Sequence, residues 1–262
     1  MPDAWEDGAG YESYVGRWSR RIAREFLRWL AVPPGSAWLD FGCGTRALSQ
    51  TIVAEESPRW VIGCDRSPAY VAFARQQTGE AHAEFVVAEL PDLPRIDEGF
   101  DAVVAGLVLN FLPAPTQGVA AMAARARRGG TVAAYVWDYA EGMQLMRMFW
   151  DAAVALNATA RELDEAVRFP VCQPDPLRTL FEGAGVRDVL VRPIVVPTIV
   201  HDFDDYWTPF LSGQGPAPGY VTSLSPGQRA QLRDRIRERL PTSPDGSIPL
   251  SARAWAVRGI AA

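Results

Sequence analysis

The sequence predicts an α/β protein built on a doubly wound, mostly parallel sheet. Three observations carry that expectation. Short apolar runs alternate with helical patterns through residue 136, which is the rhythm of strand–helix–strand units. The first run, Ala37-Trp38-Leu39-Asp40-Phe41, opens onto Gly42-Cys43-Gly44 just before a helical pattern begins. The run at 100–105 is nearly all apolar, as expected of a strand covered on both faces. In such sheets, ligands bind beyond the carboxyl ends of the strands.

The elements follow in order. Residues 1–10 read as a loose acidic tail without the apolar centre of a signal peptide. Over 11–30, Ile22, Phe26, Leu27 and Leu30 recur at helical spacing between arginines, and Val32-Pro33-Pro34-Gly35 ends the pattern. Tyr14 and Arg17 precede that stripe and read either as a packed helix start or as a lid over the glycine turn. A strand at 37–41, a helix at 45–56 and a strand at 60–65 ending in Asp65 come next. Ser67-Pro68 starts a helix to residue 77, serine being a good cap and proline a good first residue. A strand at 83–87 leads to Ala88-Glu89, and the strand at 100–105 follows. The alanine-rich stretch 116–128 predicts a helix closed by Gly129-Gly130, with Arg125, Arg127 and Arg128 at its dipole-favoured end. The strand at 131–136 completes the regular part.

Beyond 136 the rhythm changes. A helix is expected over 143–159, with Met143, Met146, Met148, Phe149 and Trp150 as core or as an adaptable pocket wall. A helix over 174–184 and a strand over 186–196 follow, with Pro193 against a regular interior strand. Residues 197–244 break the alternation and read as a cap rich in aromatic residues, which predicts a largely apolar pocket. A final strand is expected at 248–260.

The totals narrow the function. The chain has 262 residues, 48% of them apolar and 22% charged, with a net charge of -5 and no long basic tract. One large domain fits this, and a nucleic-acid partner does not. Three cysteines at 43, 64 and 172, with histidines only at 82 and 201, suggest no disulfide scaffold and no metal site. No apolar run reaches the length of a membrane span. A cytoplasmic protein, monomer or homodimer, with no membrane partner is the expectation.

Asp40, Asp65 and Glu89 stand at or near the ends of three successive strands, hence along one sheet edge. An acid ending the second strand is placed to accept both hydroxyls of a ribose. Glu89 could accept from an exocyclic amine, and Asp40 could face an ammonium group or order the loop. Gly42 and Gly44 permit positive φ and close ligand approach, and the helix behind them offers free N–H groups. A dinucleotide site wants a third glycine where Ala47 stands, and no Lys-Ser/Thr pair follows the turn. The pattern favours a nucleoside-bearing ligand without a pyrophosphate.

With these motifs assembled, the sequence resembles a class I S-adenosylmethionine-dependent methyltransferase of the small-molecule branch (methyltransferase domain 11/25 type). The resemblance rests on Trp38-Leu39-Asp40-Phe41-Gly42-Cys43-Gly44-Thr45, Val61-Ile62-Gly63-Cys64-Asp65-Arg66-Ser67-Pro68, Phe85-Val86-Val87-Ala88-Glu89-Leu90, Phe100-Asp101-Ala102-Val103-Val104 and Gly129-Gly130-Thr131. It implies a Rossmann-like, seven-stranded mixed sheet whose last strand inserts antiparallel between the fifth and sixth. It divides the chain into a lid helix within 1–35, a cofactor-binding half at 36–136, a substrate side at 137–196, a cap at 197–245 and the last strand at 246–262.

The same resemblance implies S-adenosyl-L-methionine as cofactor, S-adenosyl-L-homocysteine as product, and a small or medium organic molecule methylated on O, N or C. Gly42, Cys43 and Gly44 would pass under the methionine part, with Asp40 near its ammonium. Asp65 would hold the ribose, with Arg66 beside the adenine, and Ala88, Glu89 and Leu90 would contact the base. Gly106 and Leu107 would border the sulfonium, and Tyr14 and Arg17 would reach the cofactor carboxylate. Arg46 departs from the family, which usually has a third glycine there. It could project outward, pair with that carboxylate, or crowd the site. His201, Tyr139 and Tyr206 are the candidate catalytic groups, though none sits in a recognisable constellation. A non-catalytic cofactor-binding protein, or a related enzyme with altered chemistry because of Arg46, is the rival reading.

Overall fold

A computed structural model describes residues 16–76, 82–213 and 215–262. The strands are β1 (Ala37–Phe41), β2 (Trp60–Asp65), β3 (Ala83–Val87), β4 (Phe100–Gly106), β5 (Ala126–Trp137), β6 (Arg187–Val200) and β7 (Ile248–Ile260), in one sheet of order β3-β2-β1-β4-β5-β7-β6. Strand β1 pairs in parallel with β2 on one side and β4 on the other. The strand order therefore reverses between β1 and β4, the switch point beyond whose carboxyl ends doubly wound sheets bind ligands. Strand β3 continues the sheet beyond β2, and β5 beyond β4, both in parallel.

The last strand runs antiparallel to β5. Gly129 N–H donates to the Ala261 carbonyl, Ala261 N–H to that of Gly130, and Asp138 N–H to that of Arg253. Residue numbers rise along β5 as they fall along β7, and β7 lies between β5 and β6. The sheet is the seven-stranded mixed sheet that the motifs imply.

By contact density the chain forms two compact units, one of 19–136, 171–194 and 255–262, the other of 137–170, 195–254 and the described residues up to Trp18. In the first, helix α1 (Arg17–Leu30) buries Ile22, Ala23, Phe26 and Leu27 completely, the stripe that the spacing predicts. Phe26 meets Tyr135 edge to face at 4.8 Å, a favoured arrangement of aromatic quadrupoles. Arg258 donates to the carbonyls of Trp29 and Leu30 at 2.6 and 3.1 Å, satisfying acceptors that a helix end leaves free.

Two expectations are corrected in this unit. Helix α2 covers Ala47–Glu55 and α3 Pro68–Gln76, close to the expected spans, but the helix expected at 116–128 does not reach that far. Helix α4 covers Pro115–Ala123, and β5 begins at Ala126. Arg125 leaves the helix with its guanidinium buried, donating to the carbonyls of Leu93 at 3.1 Å and Pro91 at 2.8 Å. Tertiary hydrogen bonds thus override an alanine-rich helical pattern. Gly129, at φ 75, lies within the irregular start of β5, where the register against β4 shifts.

The other unit holds helix α5 (Gln144–Leu156) and the short α6 (Glu165–Arg168); α7 (Pro174–Gly183) belongs to the first unit. Phe149 stacks on Phe210 at 4.6 Å and meets the edge of Trp150 at 5.0 Å. Trp150 Nε1 donates to the buried carboxylate of Glu165. Arg147 reaches both carboxylate oxygens of Asp164, at 3.0 and 2.6 Å. Strand β6 runs four residues beyond the expected end at 196, to Val200. It is an edge strand, the position in a sheet where prolines such as the exposed Pro193 and Pro197 are tolerated. Helices α8 (Phe203–Trp207), α9 (Pro216–Ser223) and α10 (Pro226–Arg239) occupy the stretch before β7.

Gly63 in β2 shows how tightly the sheet is packed near the switch point. A Cβ there would lie 2.6 Å from the Phe85 ring and 3.1 Å from the Cys43 Cβ. Gly63→Ala is expected to destabilise the protein by about 1–3 kcal/mol through overpacking, measured as a lower urea midpoint with an unchanged slope.

Candidate functional site

The site is built where β1 turns into α2. Gly42 stands at φ 71, Gly44 at φ 49 and Arg46 at φ 70, so the turn uses the left-handed region at every second residue. Gly42 must be glycine on two grounds. Its φ disfavours a side chain, and a Cβ would lie 2.6 Å from the Val108 side chain. The N–H groups of Gly42 and Cys43 both donate to the Cys64 carbonyl, at 2.8 and 3.0 Å, which ties the turn to the end of β2. Among the described residues nothing lies within 4 Å of where a Gly44 Cβ would be, so space is open beside its backbone.

Asp65 holds the turn from the other side. Its Oδ2 accepts from Gly44 N–H at 3.0 Å and its Oδ1 from Ser67 N–H at 2.8 Å. Burial raises its pKa, and these two bonds and the nearby Arg66 partly offset the rise. Each carboxylate oxygen keeps a second lone pair. The acid predicted to face a ribose is thus also the tether of the glycine turn.

Asp40 is fully buried. Its Oδ2 accepts from Ser49 Oγ at 2.6 Å, while its Oδ1 has no hydrogen-bond partner among the described residues. Burial pushes its pKa up to about 7, against the lowering effect of Ser49. Ser49 was not singled out by the sequence reading. Its position in the first turn of α2, on the face toward β1, is the signal that could have found it.

Arg46 is a second unsatisfied group at this turn. It caps α2 in the left-handed conformation, is only 8% exposed, and its buried Nη1 has no partner among the described residues. A non-glycine residue in that conformation costs about 1–2 kcal/mol, and an unpaired buried charge costs more. The burial removes one of the three alternatives, since the side chain does not project outward.

The remaining predicted residues of this unit fall at the strand ends. Ala88 N–H donates to the Asp65 carbonyl at 3.0 Å; Arg66 and Glu89 are exposed, and Leu90 is half-buried. Gly106 ends β4, where a Cβ would lie 2.6 Å from the Tyr135 hydroxyl oxygen. Leu107 follows at φ 60. Asn110, just beyond, is buried with Nδ2 unpartnered among the described residues. Burial raises the Cys43 thiol well above its ordinary pKa, so it is no nucleophile.

The open space beside Gly44, the orphaned acceptor of Asp40 and the orphaned donor of Arg46 suit a ligand that carries both an ammonium and a carboxylate next to a nucleoside. The residues present therefore fit S-adenosylmethionine.

The other predicted residues lie in the second unit, except Tyr14, which lies outside the described residues. Arg17 donates to Asp205 Oδ1 at 2.7 Å and is half-buried. Asp205 Oδ2 accepts from the His201 N–H at 2.9 Å. The His201 ring is exposed, 3.3 Å from Asp202 Oδ2. A cavity of about 760 Å³ is lined by Arg17, His201, Asp202, Asp204, Asp205 and Thr208, with Pro209, Leu211 and Ser212. Charged side chains stand around it, but most of its lining surface is apolar. The aromatic residues Trp150, Tyr206, Phe210 and Tyr220 are buried, and their rings pack on one another.

Tyr206 is fully buried, and its hydroxyl donates to the Leu145 carbonyl at 2.8 Å. Burial raises its pKa far above the ordinary phenol value. Tyr139 packs its ring near Phe169 at 5.8 Å. Among the described residues no cluster of three or more His, Cys, Asp or Glu could hold a metal ion, and no helix is long and apolar enough to cross a membrane.

Comparison with known proteins gives three kinds of match. Residues 39–134 match the family model of a methyltransferase domain. Among curated relatives, the ribosomal protein L11 methyltransferase of Burkholderia ambifaria is 37% identical over 122 residues, 45% of this chain and 38% of that protein. The trans-aconitate 2-methyltransferase of Variovorax paradoxus is 28% identical over 175 residues, 66% of this chain and 62% of that protein. The chain thus spans 38% and 62% of these relatives' length, less than two thirds of either. Among solved structures, phosphoethanolamine N-methyltransferase 2 of Haemonchus contortus, in complex with S-adenosyl-L-methionine, superposes with a TM-score of 0.61 at 12% identity, covering 98% of this chain and 58% of that one.

The titration of Asp40 gives a prediction. Free aspartate titrates near 3.8 and folded Asp40 at about 7, so between these values the folded state holds a proton that the unfolded state has released. This contribution to stability is present at the acid end of the window and is lost as pH rises through about 7. Asp40→Asn keeps an acceptor for Ser49 without the charge. Its melting temperature relative to wild type is expected to rise between pH 5 and pH 8 in paired thermal melts; a difference that stays flat would contradict the buried carboxylate.

Proposed function

From a chain that has the class I methyltransferase fold, with a methyltransferase domain over residues 39–134, we propose S-adenosylmethionine-dependent methyl transfer to O, N or C of a small or medium organic molecule. The observation that carries this reading is the turn at 42–46. It combines open space beside Gly44 with a tether to Asp65 and an unpartnered acceptor on Asp40. S-adenosyl-L-homocysteine is the product on this reading.

In this reading the chain's own groups do the following. Asp65 accepts from the ribose hydroxyls with the lone pairs that Gly44 and Ser67 leave free. Asp40 accepts from the ammonium through Oδ1. Ala88, Glu89 and Leu90 border the base, with Arg66 beside it, and Gly42, Cys43, Gly44, Gly106 and Leu107 border the rest of the ligand. A bound sulfonium supplies an already activated methyl group, so the protein's contribution is alignment of the acceptor and exclusion of water. Asn110 offers a buried donor to orient an acceptor near the end of β4.

Of the three candidate catalytic residues, His201 carries the accessible titratable group, and it is retained here as the base for acceptors that must lose a proton. Tyr139 and Tyr206 are given packing roles. A small acceptor is favoured by the net charge of -5 and the absence of a long basic tract, which suit a charged polymer such as RNA poorly. A cytoplasmic location remains part of the proposal, as do the monomer or homodimer state and the lid and cap roles of 1–35 and 197–245.

Two measurements test this. Calorimetric titration with S-adenosylhomocysteine is expected to show binding by wild type and a loss of about a hundredfold in Asp65→Ala, the equivalent of two charge-assisted hydrogen bonds. Tyr206→Phe is expected to lose about 1 kcal/mol of stability while keeping turnover of any acceptor found by screening for S-adenosylhomocysteine release. A binding-competent wild type that never releases it across a broad acceptor screen would favour the non-catalytic reading.

A further inference from the structure

Arg125 commits a buried charge to a single loop. It is 6% exposed. Its backbone is fixed just after α4: its N–H donates to the Met122 carbonyl at 3.1 Å, and its own carbonyl accepts from Phe100 N–H at 2.9 Å. An arginine there could cap the last carbonyls of the helix. Instead its Nε reaches the Leu93 carbonyl at 3.1 Å and its Nη2 the Pro91 carbonyl at 2.8 Å. Both acceptors belong to the loop that follows β3. That loop begins at Ala88, whose N–H donates to the Asp65 carbonyl at 3.0 Å. A turn follows, in which Asp92 N–H donates to the Glu89 carbonyl at 2.8 Å. The loop is therefore tied to Asp65 at its start and to Arg125 at its far end, with Glu89 between the two ties. Burying a guanidinium is costly unless its hydrogen bonds are well made, and a charged donor on a carbonyl is among the stronger ones.

We propose that Arg125 is a positioning residue for base selection: by pinning the carbonyls of Pro91 and Leu93 it holds the Glu89–Asp92 turn in place, so that the Glu89 carboxylate meets the exocyclic amine of the bound nucleoside. The inference rests on the cofactor reading above and deepens it. Arg125 touches no ligand and acts through the loop. The Glu89 side chain is exposed, so its own packing does not fix where it stands; the backbone ties on either side do. Leu90 supports the same placement, since its Cδ1 lies 3.9 Å from where a Gly118 Cβ would be on α4. A base that carries a carbonyl in place of the amine offers the carboxylate an acceptor instead of a donor. Preference for the amine therefore depends on how firmly Glu89 is held.

The test compares two ligands that differ at that amine. S-adenosylhomocysteine and S-inosylhomocysteine (a carbonyl replaces the amine) are titrated into wild type, Arg125→Met, Arg125→Lys, Glu89→Ala and the Arg125→Met/Glu89→Ala double variant, with far-ultraviolet circular dichroism and thermal melts to verify folding. Wild type is expected to prefer S-adenosylhomocysteine by about tenfold or more. Arg125→Met is expected to weaken S-adenosylhomocysteine about tenfold and to leave S-inosylhomocysteine within about threefold, so the preference is lost. Arg125→Lys keeps the charge without the planar fork and is expected to fall between. The losses from Arg125→Met and Glu89→Ala are expected not to add in the double variant, because both act on one contact. If Arg125→Met does not fold, Arg125→Lys carries the comparison, with a preference reduced about threefold.

Equal weakening of both ligands, or losses that add in the double variant, would overturn the proposal in favour of an arginine that only supports the fold. An unchanged preference in a folded variant, or a wild type with no preference, would also overturn it. Those results leave the cofactor reading standing as long as wild type binds S-adenosylhomocysteine and Asp65→Ala weakens it. If wild type binds neither ligand, both readings fall together.

Discussion

The hydrogen bond from Gly44 N–H to Asp65 Oδ2 is the constraint on which the site depends. It joins the loop after β1 to the end of β2, and the Gly42 and Cys43 bonds to the Cys64 carbonyl reinforce it. Helix α2 begins at Ala47, directly after this loop, with Arg46 in the left-handed cap. Ser49 then comes within 2.6 Å of Asp40 Oδ2. Val108 fills the space behind Gly42, so the end of β4 is bound into the same arrangement. Backbone donors of the turn, the buried acid of β1 and the buried base capping α2 thus meet around one carboxylate at the end of β2.

The electrostatics of that arrangement are unfavourable in the empty protein. Asp40 is driven toward neutrality by burial, with its pKa at about 7, and Arg46 has a buried nitrogen without an acceptor. Buried polar groups are generally satisfied, and the exceptions call for a reason. Stability given up at a site where ligand is meant to bind is such a reason. The second unit also buries an acid, Glu165, whose pKa burial pushes up to about 8. Its Arg147–Asp164, Arg253–Asp138 and Arg17–Asp205 pairs are closed at 2.6, 2.5 and 2.7 Å, and its aromatic side chains pack on one another.

Much of this was legible in the sequence, for identifiable reasons. The strands of the first half are short apolar runs between glycine-rich turns, and parallel pairing leaves little choice in where they lie. Strand β7, at Ile248–Ile260, falls where it was expected. The failures share one physical origin, which is long-range hydrogen bonding that local pattern does not encode. Arg125 leaves a helical pattern to reach carbonyls more than thirty residues away, at 91 and 93. Arg17 is engaged by Asp205, 188 residues away. Tyr206 was a candidate catalytic group of the aromatic cap, and its hydroxyl is turned inward onto the Leu145 carbonyl. Arg46 was visible as a departure from pattern; its burial was not.

The most direct test of the account is a crystal structure of the protein grown with S-adenosylhomocysteine. The account predicts ligand density along the 42–46 turn, ribose hydroxyls on Asp65 and the amino group on Asp40 Oδ1. Density for the ligand elsewhere, or an Arg46 side chain filling the space beside Gly44 with no ligand at high concentration, would contradict it.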